Sequence, residues 1–458
     1  MRAFARQMIE RMKAVAAAGA VAAFWLAVWV FVAALVAQPL ILPGPGAVVV
    51  ALLRLVCDAG TWAILAGSGA RILGGLALAA VCGGVLAGVS VRSLTFARLV
   101  APALSFVKAT PVACVVVLLL IWLGSARVSI AAVFLMALPG VYFSLVEGLT
   151  QADKPLEQMF RLHGVRGWRL FCAHTWREVL PFVLSCARAV IGMSWKAGVA
   201  AELIGMATDT VGERIYQAKL LIETADLLAW TVLVVAASWA CERVLVWLLR
   251  ASGPVAWRAA VRAHGHGLRG RTGAASDGAA AELALAVGDR APWSPALDGL
   301  VLHVPAGGRT CVMGASGVGK STLLALVAGE CAPCSMVFQD VRLVEDASAL
   351  DNVLVCADAR VNASSAAALL RLLVPGIDVH ARVAELSGGQ RRRVEIARAL
   401  LCPGDAVILD EPFTGLDAAA RDATAVAVLD LLDGRMLLLA THDVVDARAL
   451  NISDIITL

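Results

Sequence analysis

Charged residues are scarce in this sequence. Asp, Glu, Lys and Arg make up 16% of its 458 residues, whereas hydrophobic residues make up 60%, which is far from the composition of a soluble globular protein. The net charge of +4 is too small to indicate nucleic-acid binding, so no such partner is expected. The 11 cysteines show no paired framework, which indicates reduced thiols instead of a disulfide scaffold.

Long apolar runs are confined to the first half of the chain. Six of them, each about long enough to cross a bilayer as a helix, lie near residues 14–37, 72–90, 99–123, 128–149, 179–205 and 226–249. Residues 1–250 are therefore predicted to form an all-α, six-span domain in the lipid bilayer of the cytoplasmic membrane. The first run is too long, and lacks a cleavage pattern, for a removable signal peptide.

Arginine and lysine clusters fall in alternate loops between these runs. They precede the first run, separate the second from the third and the fourth from the fifth, and follow the sixth. Since cytoplasmic loops carry an excess of basic residues, both termini are expected in the cytoplasm.

The second half of the sequence changes character. Residues 251–280 are rich in Gly, Ala and Arg without a helical stripe, which predicts a flexible basic linker. In residues 281–458, strand patterns such as "RTCVMG" and "AVILDEP" alternate with helix patterns such as "KSTLLALVAG". This alternation is typical of an α/β domain with a mostly parallel sheet.

The stretch "GASGVGKST" matches the phosphate-binding pattern G-x-x-x-x-G-K-[ST], directly after a strand pattern and before a helix pattern. Backbone amides of such a loop surround phosphates, Lys320 reaches the β and γ oxygens of ATP, and Ser321 can hold Mg²⁺. An ordinary glycine-rich turn is the alternative, which this context disfavours. The predicted ATP-binding residues are Gly314, Ala315, Ser316, Gly317, Val318, Gly319, Lys320, Ser321 and Thr322.

Two acids end a predicted buried strand in "AVILDEP". Asp410 is placed to support Mg²⁺, and Glu411 is the candidate general base for an attacking water, because phosphoryl transfer needs a metal, a phosphate clamp and an oriented nucleophile. An acid pair on the surface is the alternative.

The stretch "LSGGQRRRVEIARAL" offers a second phosphate-binding helix N-terminus. One domain already has a complete phosphate loop, so the simplest arrangement is a homodimer in which two chains enclose two ATP molecules. The residues that would face the partner's ATP are Ser387, Gly388, Gly389 and Gln390.

Together with "VFQD", "TGLD" and "ATHD", these motifs make residues 281–458 resemble an ABC-type ATP-binding domain. The resemblance implies that Gln339 contacts Mg²⁺ or the attacking water, that Asp417 spans the dimer and that His442 senses the γ-phosphate. It also implies that Trp293 stacks on adenine, with a core or surface tryptophan as the alternative. The segment between Lys320 and Gln339 is short for the family, which predicts a shortened antiparallel β subdomain.

Residues 158–181, "QMFRLHGVRGWRLFCAHTWREVLP", resemble the cytoplasmic loop of ABC importer permeases, although "QMF" replaces the usual "EAA". "LPGPGAV" and the order of the spans resemble permeases for nitrate, taurine and alkanesulfonates. The resemblance implies a coupling loop at about 151–178, with Gly164 at its turn and Trp168, Leu170 and Phe171 entering a groove near Gln339. An interfacial loop held by Trp and Arg at the headgroups is the alternative.

The fifth apolar run carries three ionisable residues, Arg188, Lys196 and Glu202. Charges inside a bilayer tend to face an interior or each other, and helical spacing puts all three on one arc. A solute pathway along a dimer axis and structural pairing with a neighbouring span are both open.

The sequence thus favours ATP-driven import of a small solute by permease and ATPase in one chain, with ATP and Mg²⁺ as cofactors and a separate extracytoplasmic solute-binding protein as partner. An ABC exporter and a non-transporting, ATP-regulated membrane scaffold are the alternatives. Exporters have longer helices in the cytoplasm than these loops allow.

Overall fold

The computed structural model describes residues 2–264, 283–286, 297, 300–315, 317–331 and 333–458. The chain divides into two compact units. The first contains the residues up to Gln151 together with Val179–Ala251, and the second contains Ala152–Glu178 and Ser252–Leu458. The chain therefore leaves the first unit after Gln151, enters the second and returns, before it ends in the second.

Helices account for nearly all of the described chain up to residue 264. In chain order they are α1 (Arg2–Val36), α2 (Pro45–Cys57), α3 (Ala59–Arg92), α4 (Leu94–Ala109), α5 (Val112–Leu123), α6 (Ser125–Gln151), α7 (Lys154–Leu162), α8 (Gly167–Leu170), α9 (Trp176–Gly205), α10 (Val211–Leu220) and α11 (Thr224–Arg262). A π-helical turn, Phe171–Thr175, joins α8 to α9.

Among the described residues, five helical segments are long and apolar enough to cross a membrane, and the pair α4 and α5 makes a sixth if it counts as one broken span. The predicted all-α, multi-span domain is confirmed. The third span differs from a straight helix, because α4 and α5 meet at 103°. Pro111 explains the break, since it lacks an amide hydrogen and forces Thr110 into the extended conformation observed there.

Small residues let the helices of the first unit approach closely. A Cβ atom on Gly75 of α3 would lie 2.5 Å from the Ile130 carbonyl oxygen of α6, and one on Gly83 would lie 2.9 Å from Val141. Such contacts between helix backbones are a main source of packing energy within a bilayer, where the hydrophobic effect between helices is weak.

The second unit contains a five-stranded, fully parallel sheet in the order β4-β5-β6-β3-β7, and an antiparallel pair formed by β1 and β2. The strands are β1 (Leu283–Ala286), β2 (Val301–Val304), β3 (Arg309–Met313), β4 (Ser335–Val337), β5 (Ala406–Asp410), β6 (Met436–Thr441) and β7 (Asp454–Thr457). Its helices after α11 are α12 (Lys320–Glu330), α13 (Ala349–Leu354), α14 (Ala363–Leu373), α15 (Gly388–Leu401), α16 (Ala418–Leu431) and α17 (Val444–Ala449).

All residues of β5 and β6 are buried, as expected for strands covered on both faces. The predicted α/β domain with a parallel sheet is confirmed. Between Lys320 and Gln339 the chain forms α12 and then β4 directly. In the described part of the unit the antiparallel sheet has two short strands, in line with the shortened β subdomain that the sequence predicts.

The prediction that the linker begins at residue 251 was wrong. Helix α11 continues to Arg262 and its last turns belong to the second unit, where Trp257 and Ala260 are buried. The apolar side of "PVAWRAAV" is too short to indicate a helix by itself, but it continues a helix that is already formed. Residues 265–280 of the predicted linker lie outside the described residues.

Candidate functional site

The phosphate loop connects β3 to α12. Gly317 and Gly319 have φ angles of 83° and 115°, a region that glycine adopts readily and other residues rarely do. The two glycines turn the chain so that Lys320 is the first residue of α12. Its Nζ donates hydrogen bonds to the carbonyls of Gly314 (2.8 Å) and Ala315 (3.0 Å). The buried ammonium group is thereby held over the loop that would surround the phosphates. Ser316 and Trp293 lie outside the described residues.

Asp410 is the last residue of β5 and is almost fully buried. Burial raises the pKa of its carboxyl group above the ordinary value, while a hydrogen bond with the Ser321 side chain works in the opposite direction. A buried carboxylate beside a hydroxyl provides the hard oxygen ligands that Mg²⁺ prefers. Ser321 and Asp410 therefore fit the metal site that the sequence predicts, and exposed Gln339 follows β4 and Phe338.

Glu411 and His442 lie next to each other at the ends of adjacent strands. Glu411 has a φ angle of 45°, and its amide donates to the Ala440 carbonyl of β6 at 2.9 Å. This turn points the side chain away from the strand, so that its Oε1 lies 3.2 Å from His442 Nδ1. A carboxylate that is oriented by an imidazole and partly open to solvent can take a proton from water.

The signature residues lie at the beginning of α15. The Ser387 side chain accepts a hydrogen bond from the Gln390 amide, and the Gln390 side chain accepts one from the Ser387 amide. This reciprocal capping box leaves Ser387 and Gly388 exposed. Asp417 is also exposed and caps α16 through the Ala420 amide, at 2.7 Å.

Arg392 is a site residue that the motif search missed. Its guanidinium donates to the carbonyls of Asp410 (2.9 Å), Glu411 (2.8 Å) and Phe338, and it pairs with Glu395 at 2.9 Å. One buried side chain thus connects the signature helix to both acids and to the residue before Gln339. The three consecutive arginines of the motif could have indicated it, because α15 is amphipathic and the middle one falls on its buried side.

Two known families match this chain. Residues 297–414 match the family described as ABC transporter, and residues 80–255 match the family described as binding-protein-dependent transport system inner membrane component. The aliphatic sulfonates import ATP-binding protein SsuB 2 of Streptomyces avermitilis is 40% identical over 169 residues, which are 34% of this chain and 67% of that protein. The chain belongs to the ABC transporter family. It carries permease and ATPase domains of the import type, and its ATPase couples ATP hydrolysis to transport.

Other relatives match the same half of this ABC transporter. The aliphatic sulfonates import ATP-binding protein SsuB of Escherichia coli K12 is 37% identical over 176 residues, covering 34% of this chain and 68% of the relative. A counterpart from Rhizobium johnstonii is 36% identical and is covered over 64% of its length. The chain thus spans about two thirds of the curated relatives it matches. Among solved structures, the dimeric bacterial ABC transporter cassette MJ0796 is 25% identical, with 36% of this chain and 86% of that chain covered and a TM-score of 0.32.

The permease loop of this ABC transporter, residues 152–178, packs within the ATPase unit. Met159 and Phe160 of α7 are fully buried in one core with residues of β3, β4 and α12. The guanidinium of Arg342, three residues after Gln339, donates to the Pro155 carbonyl (3.1 Å) and to the Gln158 side chain (3.3 Å). The loop therefore contacts the segment that follows Gln339.

The residues that anchor this loop differ in part from the prediction. Leu170 is buried as expected, but Trp168 is 73% exposed and stacks on Phe171, which is 37% exposed. The prediction that these two aromatic residues enter the groove was wrong, because α7 fills it with its own apolar face. Gly164 lies at the expected turn with a φ angle of 78°, where the Val165 amide bonds back to the Phe160 carbonyl at 2.8 Å and closes α7.

The last turns of α11 form a second contact with the ATPase domain inside this unit. The Trp257 indole donates to the Asp351 carboxylate of α13 at 3.3 Å. The guanidinium of Arg177 lies 5.0 Å from the centre of the Trp257 ring and 3.8 Å from the Asp346 carboxylate. Sequence patterns gave no sign of this contact, because it involves residues assigned to a linker.

In the permease domain, the three ionisable residues of α9 have different environments. Glu202 is fully buried and accepts hydrogen bonds from Ser68 (2.8 Å) and Arg71 (3.1 Å), both on α3. Arg188 and Lys196 are exposed. For Glu202, the structure agrees with the second of the two alternatives, structural pairing with a neighbouring span, because its carboxylate pairs with Arg71 of α3.

Proposed function

We propose that two copies of this chain form a homodimer that hydrolyses ATP to import a small organic anion, delivered by a separate extracytoplasmic solute-binding protein. Both termini and the ATPase domains lie in the cytoplasm. The observation that carries the proposal is the burial of α7, from the permease loop, in the ATPase domain close to Gln339. A loop in this position can convert movement around the nucleotide into movement of the membrane helices.

The ATP site would be completed by two chains. Lys320 and the phosphate loop would hold the β and γ phosphates of one ATP, and Ser387, Gly388, Gly389 and Gln390 of the other chain would face the γ-phosphate. The exposure of Ser387 and Gly388 supports this arrangement, because a helix N-terminus with free amides favours a phosphate. Asp417, exposed at the start of α16, would lie along the same dimer interface.

The hydrolytic step would depend on residues that are already oriented. Ser321, Asp410 and Gln339 would hold Mg²⁺, which neutralises charge on the phosphates when bound. Glu411 would accept the proton of the attacking water, and His442 would orient Glu411 and hydrogen bond to the γ-phosphate. The 3.2 Å contact between Glu411 and His442 supports this division of roles.

The anionic nature of the solute rests on α9. Ser185, Ala189, Met193 and Lys196 are exposed at intervals of three or four residues, and exposed Arg188 lies three residues after Ser185, so all five form one stripe along the helix. Two cations are costly against lipid, so the stripe is expected to face the second copy and the solute path. The names of the relatives, which are aliphatic sulfonates import proteins, suggest an alkanesulfonate as the first solute to test.

The proposal is tested by uptake of labelled ethanesulfonate into cells of the source strain from which the chromosomal copy of this chain has been deleted. Such cells still supply the solute-binding protein. We expect uptake to return with the wild-type chain, and to remain absent with Glu411→Gln or with Arg188 and Lys196 both changed to Met. Restored uptake with the double Met variant would refute the role of the stripe.

A further inference from the structure

Three buried side chains with soft donor atoms lie close together, one from the permease loop and two from the ATPase domain. They are His163, directly after α7, Cys356, two residues after α13, and Cys402, directly after α15. A ring nitrogen of His163 and the two sulfur atoms all lie within 4.8 Å of one another. Each of the three residues is at most 3% exposed. Nothing in ATP binding or hydrolysis uses them.

We propose that His163, Cys356 and Cys402 bind a thiophilic metal ion, Zn²⁺ or Cu⁺, which fastens the permease loop to the ATPase domain. Thiolate and imidazole are the ligands that these two ions prefer in proteins. On binding, each cysteine thiol would release its proton to solvent and the imidazole would coordinate in its neutral form.

Hydrogen bonds fix the backbone around this cluster, named here the Cys–His cluster. Arg169 donates to the Val355 carbonyl at 2.9 Å, and Arg435 donates to the Cys402 carbonyl at 3.3 Å. The Asp358 amide donates to the Leu401 carbonyl at 2.9 Å. Ligands whose main chain is fixed lose little conformational entropy on coordination, which favours metal affinity.

Both ring nitrogens of His163 have neighbours that indicate its tautomer. The Met336 amide donates to Nε2 at 3.1 Å, so the ring proton lies on Nδ1, which is 3.0 Å from the Met159 sulfur. An ion bound at Nε2 would displace the Met336 amide from the Nε2 lone pair, and that amide would need another acceptor. The contact from Nδ1 to Met159 would remain and orient the ring, as the second ring nitrogen does in metal sites generally.

Three arginines lie close to the sulfur atoms of the cluster. Arg169, Arg398 and Arg435 act electrostatically on one or both sulfur atoms. Two thiolates with Zn²⁺ are neutral, and two thiolates with Cu⁺ carry one negative charge that these arginines would balance. The other close pair in the sequence, Cys331 and Cys334, stands apart, since among the described residues it forms no group with a third metal-binding donor.

The first test measures metal content. The full-length chain is purified in lipid nanodiscs from cells grown with added zinc or copper, and bound metal is counted by plasma mass spectrometry. We expect about one Zn or Cu per wild-type chain, and a loss of at least ninefold in Cys356→Ser, Cys402→Ser and His163→Gln. Cys331→Ser is the matched control and should keep its metal. The two growth conditions distinguish Zn²⁺ from Cu⁺.

A second readout covers variants that fail to fold. Co²⁺ added to the wild-type chain should produce the near-ultraviolet absorption of thiolate–cobalt bonds, and a zinc or copper chelator should lower the unfolding temperature of the wild-type chain but not of His163→Gln. Metal-free wild-type protein that takes up none of the three ions would overturn the proposal. So would metal that persists in all three variants, or a Cys356–Cys402 disulfide in freshly purified protein. None of these results depends on transport, so the metal site and the proposed function are tested independently.

Discussion

At the residue scale, the proposed catalytic pair Glu411 and His442 takes its geometry from one unusual backbone turn. Glu411 adopts a positive φ angle, which costs on the order of 1–3 kcal/mol for a residue other than glycine. The hydrogen bond of its amide to Ala440 offsets part of this cost, and the result is a carboxylate aimed at His442. Backbone strain of this kind is retained in proteins where it positions a side chain that takes part in a reaction.

The first prediction concerns His442. Replacing it with Ala removes the group that orients Glu411, so the rate of ATP hydrolysis should fall about 10²–10⁴-fold while ATP still binds. Steady-state turnover and nucleotide binding are measured side by side. Asp430→Asn, an exposed site on α16, serves as the control. Turnover of His442→Ala within twofold of wild type would remove His442 from the mechanism.

The second prediction concerns Asp410. Because burial raises its folded-state pKa, the folded chain binds protons more tightly than the unfolded chain, and ionised Asp410 destabilises the fold at every pH above that pKa. The cost is relieved as the pH falls through the folded pKa. Asp410→Asn should therefore raise the unfolding temperature at pH 7 without nucleotide, and should abolish ATP hydrolysis that requires Mg²⁺.

Thermal unfolding of wild type and Asp410→Asn is compared at pH 7 and at pH 4.5. The stability difference in favour of the variant should shrink at the lower pH. A variant that is less stable than wild type at pH 7 would mean that the carboxylate contributes more through hydrogen bonding than it costs through burial.

At the element scale, two segments of the permease chain hold the ATPase domain. Helix α7 is fixed near Gln339 through Arg342, and the end of α11 is fixed to α13 through Trp257. Two contacts on different elements can transmit a rotation as well as a pull, which one contact cannot do.

The third prediction tests the contact between α7 and the segment after Gln339. Arg342→Ala removes two hydrogen bonds of about 1 kcal/mol each, so the amount of solute imported per ATP hydrolysed should fall about fivefold or more, while ATP hydrolysis continues. The matched control is Arg360→Ala, an exposed arginine beyond α13. Equal losses of hydrolysis and uptake would show that Arg342 supports the ATP site instead of the coupling.

The fourth prediction concerns the end of α11. Trp257→Ala should destabilise the ATPase unit by about 3–5 kcal/mol, the usual effect of removing a buried tryptophan. Trp247→Ala, an exposed position on the same helix, should have little effect. Trp257→Phe keeps the apolar contact and loses the hydrogen bond to Asp351, so it should fall in between. Chemical denaturation followed by ATPase-domain fluorescence compares the three.

The sequence predicts these elements unevenly, for physical reasons. Apolar length located the spans and the strand–loop–helix pattern located the phosphate loop, because both depend on local composition. The partner of Glu202 was missed, because Arg71 lies 131 residues away along the chain. The exposure of Trp168 was missed as well, since the groove is filled by α7 and a loop sequence does not show which of its apolar faces is buried.

At the scale of the whole molecule, the joining of permease and ATPase in one chain has a consequence for assembly. A homodimer of this chain contains two ATPase domains and two permease domains in fixed proportion, and each permease loop is already packed in an ATPase domain of its own chain. In the proposed homodimer, only the ATP interface and the membrane interface would remain to form.

The central claim is that this compact ATPase domain hydrolyses ATP in the intact chain. The measurement that tests it most directly is ATP turnover of the purified chain in lipid nanodiscs, beside Glu411→Gln. We predict steady turnover for the wild type and a loss of about 10²–10⁴-fold in the variant, since the general base is removed. The absence of turnover in both proteins, with ATP shown to bind, would contradict the account and favour an ATP-regulated scaffold.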